Sequence, residues 1–144
     1  MLVVMDTDVV VAGLRSPSGA AAELLRRVRR RELRLAASVS LFTEYEATCL
    51  RPEHVQAAGL HQADVEVFLS ALAALVEPVP IHYRWRPQLR DPGDEMVLEA
   101  AVNSGAKVLL SFNQRHFAAV APRFGLQLLA SGPFLRNLRG PDDD

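Results

Sequence analysis

Short apolar runs alternate with helical repeats along the chain. The first run, Leu2–Met5, is wholly apolar, which is typical of a strand buried on both faces of a parallel sheet. Strands are predicted on this pattern at Leu2–Met5, Leu33–Ala37, Lys107–Ser111 and Leu126–Ala130. The apolar residues between these strands follow a different period.

This second period is that of an amphipathic helix, whose apolar residues lie on one face. Ala21, Leu24, Leu25 and Val28 follow the i, i+3, i+4, i+7 pattern, and Ser18 is a candidate cap for their helix. Further helices are predicted at 41–50, from 64 until before Pro78, and at 94–104 with Gly105 as its stop; an irregular, proline-rich connection is predicted from 78 to 90. Strands that alternate with helices predict an α/β fold with a mainly parallel sheet.

Length and composition predict one soluble domain. A chain of 144 residues with 49% hydrophobic residues can build a single core of its own. Its one cysteine, Cys49, excludes an intramolecular disulfide and fits a reducing cytoplasm. The sequence shows no signal-peptide pattern and no apolar run of membrane-spanning length, so we expect a cytoplasmic protein without a membrane partner. We expect the domain to cover residues 1–138 and a disordered acidic tail to cover 139–144.

The charged residues are unevenly distributed. The net charge of −1 does not by itself indicate a nucleic-acid partner. Six arginines nevertheless lie within the nine positions from Arg26 to Arg34, whereas Lys107 is the single lysine. A guanidinium group is the better planar partner for a phosphate, but a run of this kind is more often a solvated helix face.

Acidic and amide side chains follow the predicted strands in a regular order. Asp6 comes directly after the first strand, and Glu44 lies one helical turn past the second. Asp94 opens the helix before the Lys107 strand, and Asn113 follows that strand. Because sites in open parallel sheets form beyond the carboxyl ends of the strands, we expect three carboxylates and one amide to converge there.

Such a cluster predicts a divalent metal ion. Buried carboxylates repel one another and acquire raised pKa values unless a cation lies between them. Carboxylate, amide and water oxygens suit Mg²⁺ or Mn²⁺, and scattered histidines disfavour zinc; they are His54, His61, His82 and His116. A metal held in this way activates water and neutralises charge on a phosphodiester, so hydrolysis needs no protein nucleophile.

Each of these residues also has an ordinary structural interpretation. Asp6 at a strand end is often a cap or turn residue, and Glu44 alone is more often a solvated helix residue. Asp94 fits a helix N-cap equally well, and Asn113 fits a turn. The ordered set of four carries the functional signal.

Four segments in this order resemble the PIN family, and specifically its branch of toxins from toxin–antitoxin systems. The resemblance covers roughly residues 2 to 135. The segments are Val3–Val10, with Asp6-Thr7-Asp8 after the strand; Leu41–Glu46, with the helix glutamate at Glu44; Arg90–Ala101, with the aspartate at Asp94; and Leu109–Phe117, with Asn113. No single segment is specific for this family, whereas the order and spacing of all four together are.

The resemblance implies a three-layer α/β/α sandwich and cleavage of RNA with Mg²⁺ or Mn²⁺. It implies that Asp6, Glu44 and Asp94 are catalytic metal ligands and that Asn113 completes the site directly or through water. It also implies a small cognate antitoxin as partner and a homodimer. The arginine run becomes a candidate for contact with RNA phosphates, through Arg26, Arg27 and Arg30.

Two departures from the family pattern stand out. Asp8 replaces the usual asparagine and adds a negative charge, whereas Asn113 replaces an aspartate found in many members and removes one. His116 stands where another acid often follows. Candidate auxiliary residues of the site are Asp8, Ser38, Asp91, Glu95 and His116.

Two other interpretations remain open. Asp6-Thr7-Asp8-Val9-Val10 also fits the signature of haloacid-dehalogenase-type phosphatases, in which the first aspartate is the nucleophile. Against it, Lys107 begins a strand instead of lying near its end, and a later Gly-Asp-x-x-x-Asp pattern is missing. The second alternative is a catalytically weakened PIN domain that binds RNA or a protein, which the asparagine at position 113 keeps open.

Overall fold

The structure is a computed structural model that describes residues 1–84 and 88–139. Apart from the backbone of Arg139, the predicted disordered tail over 139–144 lies outside these residues. The strands are β1 Leu2–Met5, β2 Arg34–Ala37, β3 Glu77–Pro78, β4 Val108–Leu110 and β5 Gln127–Leu129. The α-helices are α1 Thr7–Arg15, α2 Ala20–Arg29, α3 Val39–Cys49, α4 Pro52–Ala57, α5 Gln62–Leu75, α6 Pro92–Ser104, α7 Gln114–Phe117 and α8 Ser131–Arg139, and a 3₁₀ helix spans Ala121–Phe124.

The five strands form one parallel sheet in the order β3-β2-β1-β4-β5. The chain first adds strands on one side of β1 and then crosses over to add β4 and β5 on the other. With helices on its two faces, the sheet is the middle layer of a three-layer α/β/α sandwich. The direction of winding reverses between β1 and β4, which is the place where open α/β sheets bind their ligands.

Burial explains why β1 has no polar residue. Val3, Val4 and Met5 are fully buried because the central strand is covered on both faces. All four predicted strands are confirmed to within one residue at each end, and β3 is an additional two-residue strand at the edge of the sheet. Among the described helices, none is long and apolar enough to cross a membrane.

Helix α1 was not predicted from the sequence. Its first half contains Val9, Val10 and Val11, and such β-branched residues favour strands when they are judged by propensity alone. In the structure these valines are buried against the core, and Asp6 caps the helix through a bond from the backbone N–H of Thr7. Packing therefore overrides local preference directly beside the predicted site.

The predicted helix starts differ from those in the structure. Helices α3, α5 and α6 each begin two residues before the predicted start, at Val39, Gln62 and Pro92. Ser18 does not cap α2, because Gly19 occupies the N-cap position and the cap has no side-chain hydrogen bond. Asp94 does not open α6 either, since the helix begins at Pro92 with Asp91 as its N-cap. This correction removes the interpretation of Asp94 as a helix cap, and Gly105 ends α6 in a left-handed conformation as expected.

Candidate active site

An acidic cleft of about 330 Å³ opens at the carboxyl ends of β1 and β4. It is lined by Asp6, Thr7, Asp8, Val11, Glu44, Thr48, Arg51, His54, Asp91, Asp94, Asn113 and His116. The structure thus brings all four predicted site residues, Asp6, Glu44, Asp94 and Asn113, to one cleft. Three of the five auxiliary candidates, Asp8, Asp91 and His116, line it as well.

Asp6 is fixed at the floor of the cleft by both of its carboxylate oxygens. Oδ1 accepts a hydrogen bond from the backbone N–H of Thr7 at 2.8 Å, and Oδ2 accepts one from the hydroxyl of Ser111 at 2.7 Å. Only 7% of the residue is exposed. Burial raises the pKa of Asp6, and the bonds from Ser111 and Thr7 offset part of this rise. Ser111 was not predicted as a site residue, although a hydroxyl directly after β4 faces the end of β1.

Asp8 joins α1 to the loop that follows β4. Its Oδ2 accepts hydrogen bonds from the backbone N–H of Phe112 and from the side-chain amide of Asn113, both at 3.0 Å. Oδ1 is buried and has no hydrogen-bond partner among the residues that the structure describes. Burial, followed by repulsion from Asp6, raises the pKa of Asp8 from its ordinary 3.8 to about 6.

Asp94 lies in the first turn of α6, where it faces Asp6 and contacts His116 on α7. The Nδ1 atom of His116 lies 2.9 Å from Asp94 Oδ2, and the Asp94 side chain is 13% exposed. Burial and repulsion from Asp6 raise the pKa of Asp94, whereas His116 lowers it. His116 thus acts on this carboxylate directly, in the position where the resemblance leads one to expect an acid.

Glu44 reaches the cleft from α3, whose position depends on two neighbouring side chains. The Tyr45 hydroxyl donates to the backbone carbonyl of Met5, which joins α3 to the end of β1. Ser38 caps α3 by accepting a bond from the N–H of Leu41 at 3.1 Å, and it does not line the cleft. Glu44 itself accepts a bond from the hydroxyl of Thr48 at 3.2 Å. Ser38 therefore acts by positioning the helix that carries Glu44.

Asp91 and Glu95 stabilise the start of α6. Asp91 caps the helix through the N–H of Gly93 at 2.8 Å and also lines the cleft. Glu95 is 4% exposed, and its Oε1 accepts bonds at 2.6 Å from the backbone N–H groups of Gln88 and Leu89. Glu95 does not line the cleft. It holds the 88–90 loop against α6.

The arginine run lies away from the cleft. Arg26 and Arg27 on α2, and Arg30 at its C-cap, form ion pairs with Glu23 at 3.3, 4.0 and 3.1 Å. None of the three lines the cleft, so their contact with RNA stays a prediction. Arg51 and His54 do line the cleft and were not predicted, because the turn between α3 and α4 brings Arg51 and the first turn of α4 to the site.

The donor set of the cleft fits a divalent cation. Within residues 1–84 and 88–139, no group of three His, Cys, Asp or Glu side chains has the mutual geometry of a complete metal site. The oxygens present are nonetheless those that Mg²⁺ and Mn²⁺ prefer. Asp8 Oδ1 is buried and has no hydrogen-bond donor among the described residues. Burial raises the pKa values of Asp6, Asp8 and Asp94, and repulsion from Asp6 raises those of Asp8 and Asp94 further. A cation among these carboxylates would offset both the cost of burying their charge and their repulsion.

Comparison with protein families identifies the fold. The sequence profile of a family described as the PIN domain matches residues 2–115. The chain belongs to the PIN domain family. PIN domains are generally nucleases and generally use divalent metal ions, in agreement with the composition of the cleft. Neither the curated proteins nor the solved structures contain a significant match to the chain.

The two departures from the PIN pattern are in contact with each other. The resemblance leads one to expect an asparagine where the chain has Asp8, and an aspartate in many members where it has Asn113; the hydrogen bond between the two side chains measures 3.0 Å. In this chain the two positions thus form one carboxylate bound to one amide. Relative to the expected residues, the acid that is missing at position 113 is present at position 8.

The raised pKa of Asp8 predicts a stability gain on neutralisation. A carboxyl group whose pKa is higher in the folded chain costs nothing well below its unfolded pKa of 3.8, where it is protonated in both states. The cost builds up as the pH rises to about 6 and then stays constant. Asp8→Asn in EDTA should therefore be more stable than the native chain at pH 7, with most of this gain lost at pH 4. Urea unfolding from pH 4 to 8 measures this, with Glu53→Gln on the exposed surface of α4 as control.

A double exchange tests the Asp8–Asn113 pair. Asn113→Asp alone places a second carboxylate in contact with Asp8 and should lower the free energy of unfolding by about 1 kcal/mol at pH 7 in EDTA. Adding Asp8→Asn restores the carboxylate–amide pair and should recover most of the loss. Equal losses in the single and double variants would show that the two side chains do not act as a pair.

Proposed function

We propose that the protein is a metal-dependent endoribonuclease that hydrolyses phosphodiester bonds of RNA. The observation that carries the proposal is the group of carboxylates in one cleft at the β1–β4 edge of a PIN domain, in which the buried Asp6 repels the partly buried Asp8 and Asp94. When bound, Mg²⁺ or Mn²⁺ supplies an activated water and compensates the negative charge of the transition state.

The side chains of the cleft have separate roles in this proposal. Asp6, Glu44 and Asp94 hold the metal, and Ser111 and Thr7 orient Asp6 through their hydrogen bonds. The amide nitrogen of Asn113 is bound to Asp8, which leaves its amide oxygen as the acceptor on offer to the metal or a water. His116 holds Asp94 in position.

The structure offers little to a mechanism with a protein nucleophile. Cys49 is buried, and burial raises the pKa of its thiol to about 11, so it is not a thiolate at neutral pH. The hydroxyl of Ser111 donates to a carboxylate, and the hydroxyl of Tyr45 donates to a backbone carbonyl. Attack by water is therefore favoured over covalent catalysis.

The phosphatase alternative loses support from the position of its lysine. Lys107 is exposed and precedes β4, whereas the cleft lies beyond the other end of that strand. The binding module remains the second candidate function. It is favoured by the pairing of Asp94 with His116, which already occupies one of the carboxylates that a metal needs.

Cleavage of RNA tests the main proposal. With end-labelled single-stranded RNA and Mg²⁺ or Mn²⁺, Asp94→Asn and Glu44→Gln should each cleave at least about 100-fold more slowly than the native protein. EDTA should abolish cleavage. Glu46→Gln is the matched control, because Glu46 is exposed on the same helix as Glu44 and lines no part of the cleft.

The opposite results are equally informative. Cleavage that survives both EDTA and Asp94→Asn does not come from this cleft. A folded native protein that binds RNA without cutting it, with affinity unchanged by Asp94→Asn, would establish the binding module instead.

We extend the proposal to the biological role of a toxin that a small cognate antitoxin neutralises. This part is supported by the resemblance of the sequence segments around Asp6, Glu44, Asp94 and Asn113 to the toxin branch of the family. The homodimer that the same resemblance implies stays a prediction.

Growth arrest tests the role as a toxin. Induced expression of the native chain alone in bacterial cells should stop growth, because a free ribonuclease depletes its target RNA. Cells that express Asp94→Asn at the same level should grow normally, and cells that express Glu46→Gln should arrest. Normal growth with a chain that cleaves RNA in vitro would leave the ribonuclease activity in place and remove the role as a toxin.

A further inference from the structure

A second cavity adjoins the acidic cleft and has a different character. It measures about 570 Å³, within the range of about 300–1,000 Å³ that is usual for ligand pockets. The two cavities share Asp91, Asp94 and His116 as a common wall. The rest of the second cavity is formed mainly by apolar side chains and two arginines: Leu89, Ala119, Val120, Arg90 and Arg115.

Cations lie on both flanks of the carboxylates. Arg90 and Arg115 belong only to the second cavity, whereas Arg51 belongs only to the acidic cleft, at the turn between α3 and α4. All three are exposed and form no ion pair with another described residue. Arg26 and Arg30 differ in this respect, because their guanidinium groups are bound to Glu23. Arg29, which is on α2, is likewise exposed and forms no ion pair with another described residue, but it lines neither cavity. Arg51, Arg90 and Arg115 therefore differ from the arginines of α2 in their position beside the carboxylates.

We infer that a single strand of RNA crosses the molecule from Arg51, over the carboxylates, to Arg90 and Arg115. In this arrangement the nucleotide next to the cleaved phosphate places its base in the second cavity. The inference rests on the proposed function, since it adds the path of the substrate to the same site.

The physical argument has two steps. Phosphates are repelled by a group of carboxylates, so the backbone of a polyanion needs cations on either side of the acidic floor. Leu89, Ala119 and Val120 offer an apolar wall to the face of a base, and this contact is indifferent to base identity because every base has such a face. A base inside a duplex must first be unpaired and unstacked before it can enter a cavity, whereas a base of a single strand enters without this cost. The substrate is therefore single-stranded at the cleaved position.

Binding measured without cleavage tests the path. Fluorescence anisotropy with labelled single-stranded RNA is measured on an Asp94→Asn background in Mg²⁺, with Arg51→Gln, Arg90→Gln and Arg115→Gln added one at a time. Each should weaken binding and reduce the slope of log K against log salt by about 0.7, the value for one phosphate contact on a single strand. Arg30→Gln, at the C-cap of α2, is the control and should leave both quantities unchanged.

The RNA itself provides the second arm of the experiment. A duplex of the same sequence should bind more weakly than the single strand. An abasic nucleotide moved along the strand should weaken binding mainly at one position, the one that the second cavity receives. Thermal unfolding of each protein variant establishes that the substitutions have left the fold intact.

The results separate this inference from the proposed function. The expected pattern in a protein that fails to cleave RNA would uphold the path and refute the nuclease. Metal-dependent cleavage with no effect of the three arginine substitutions would refute the path and uphold the nuclease. Loss of binding with Arg30→Gln to the same degree as with Arg115→Gln would also overturn the path, in favour of α2.

Discussion

The site depends on keeping Asp6 buried at the point where the sheet reverses its winding. Its charge is supported by the hydroxyl of Ser111, by the N–H of Thr7 and by the start of α1, where helix N–H groups favour an anion. These donors come together only because β1 pairs with β4. They compensate the burial incompletely, since the pKa of Asp6 remains raised. The fold thus leaves an electrostatic penalty at Asp6 that a bound cation would remove.

The polar residues near the cleft differ in whether they line it. Asp8, Glu44 and Asp94 line the cavity, whereas Ser38 and Glu95 lie outside it and accept hydrogen bonds from backbone N–H groups. These two residues position the segments around the cleft, because Ser38 caps the helix that carries Glu44 and Glu95 holds the 88–90 loop. A buried polar residue that does not line the cleft is therefore interpreted as a positioning residue. This criterion distinguishes Glu95 from Asp94, although the two carboxylates are adjacent in the sequence.

The sheet could be predicted from the sequence because buried parallel strands consist of short apolar runs. The ends of these strands also indicated which polar residues meet at the edge of the sheet, namely Asp6, Glu44, Asp94 and Asn113. Helix α1 escaped prediction since its valines favour a strand until tertiary packing decides. Arg51 and the bond from Ser111 to Asp6 escaped because they depend on contacts between distant segments; the latter spans 105 positions. Local patterns thus located the acids, and the structure was needed to identify what surrounds and pairs with them.

The hydrogen bond between Asp8 and Asn113 has a consequence for how the two positions can be varied. A change at one position alone produces either two facing acids or two facing amides, and each alters the negative charge of the cleft. Positions 8 and 113 therefore form one unit of variation. The effect of a residue at either position is defined only together with the residue at the other.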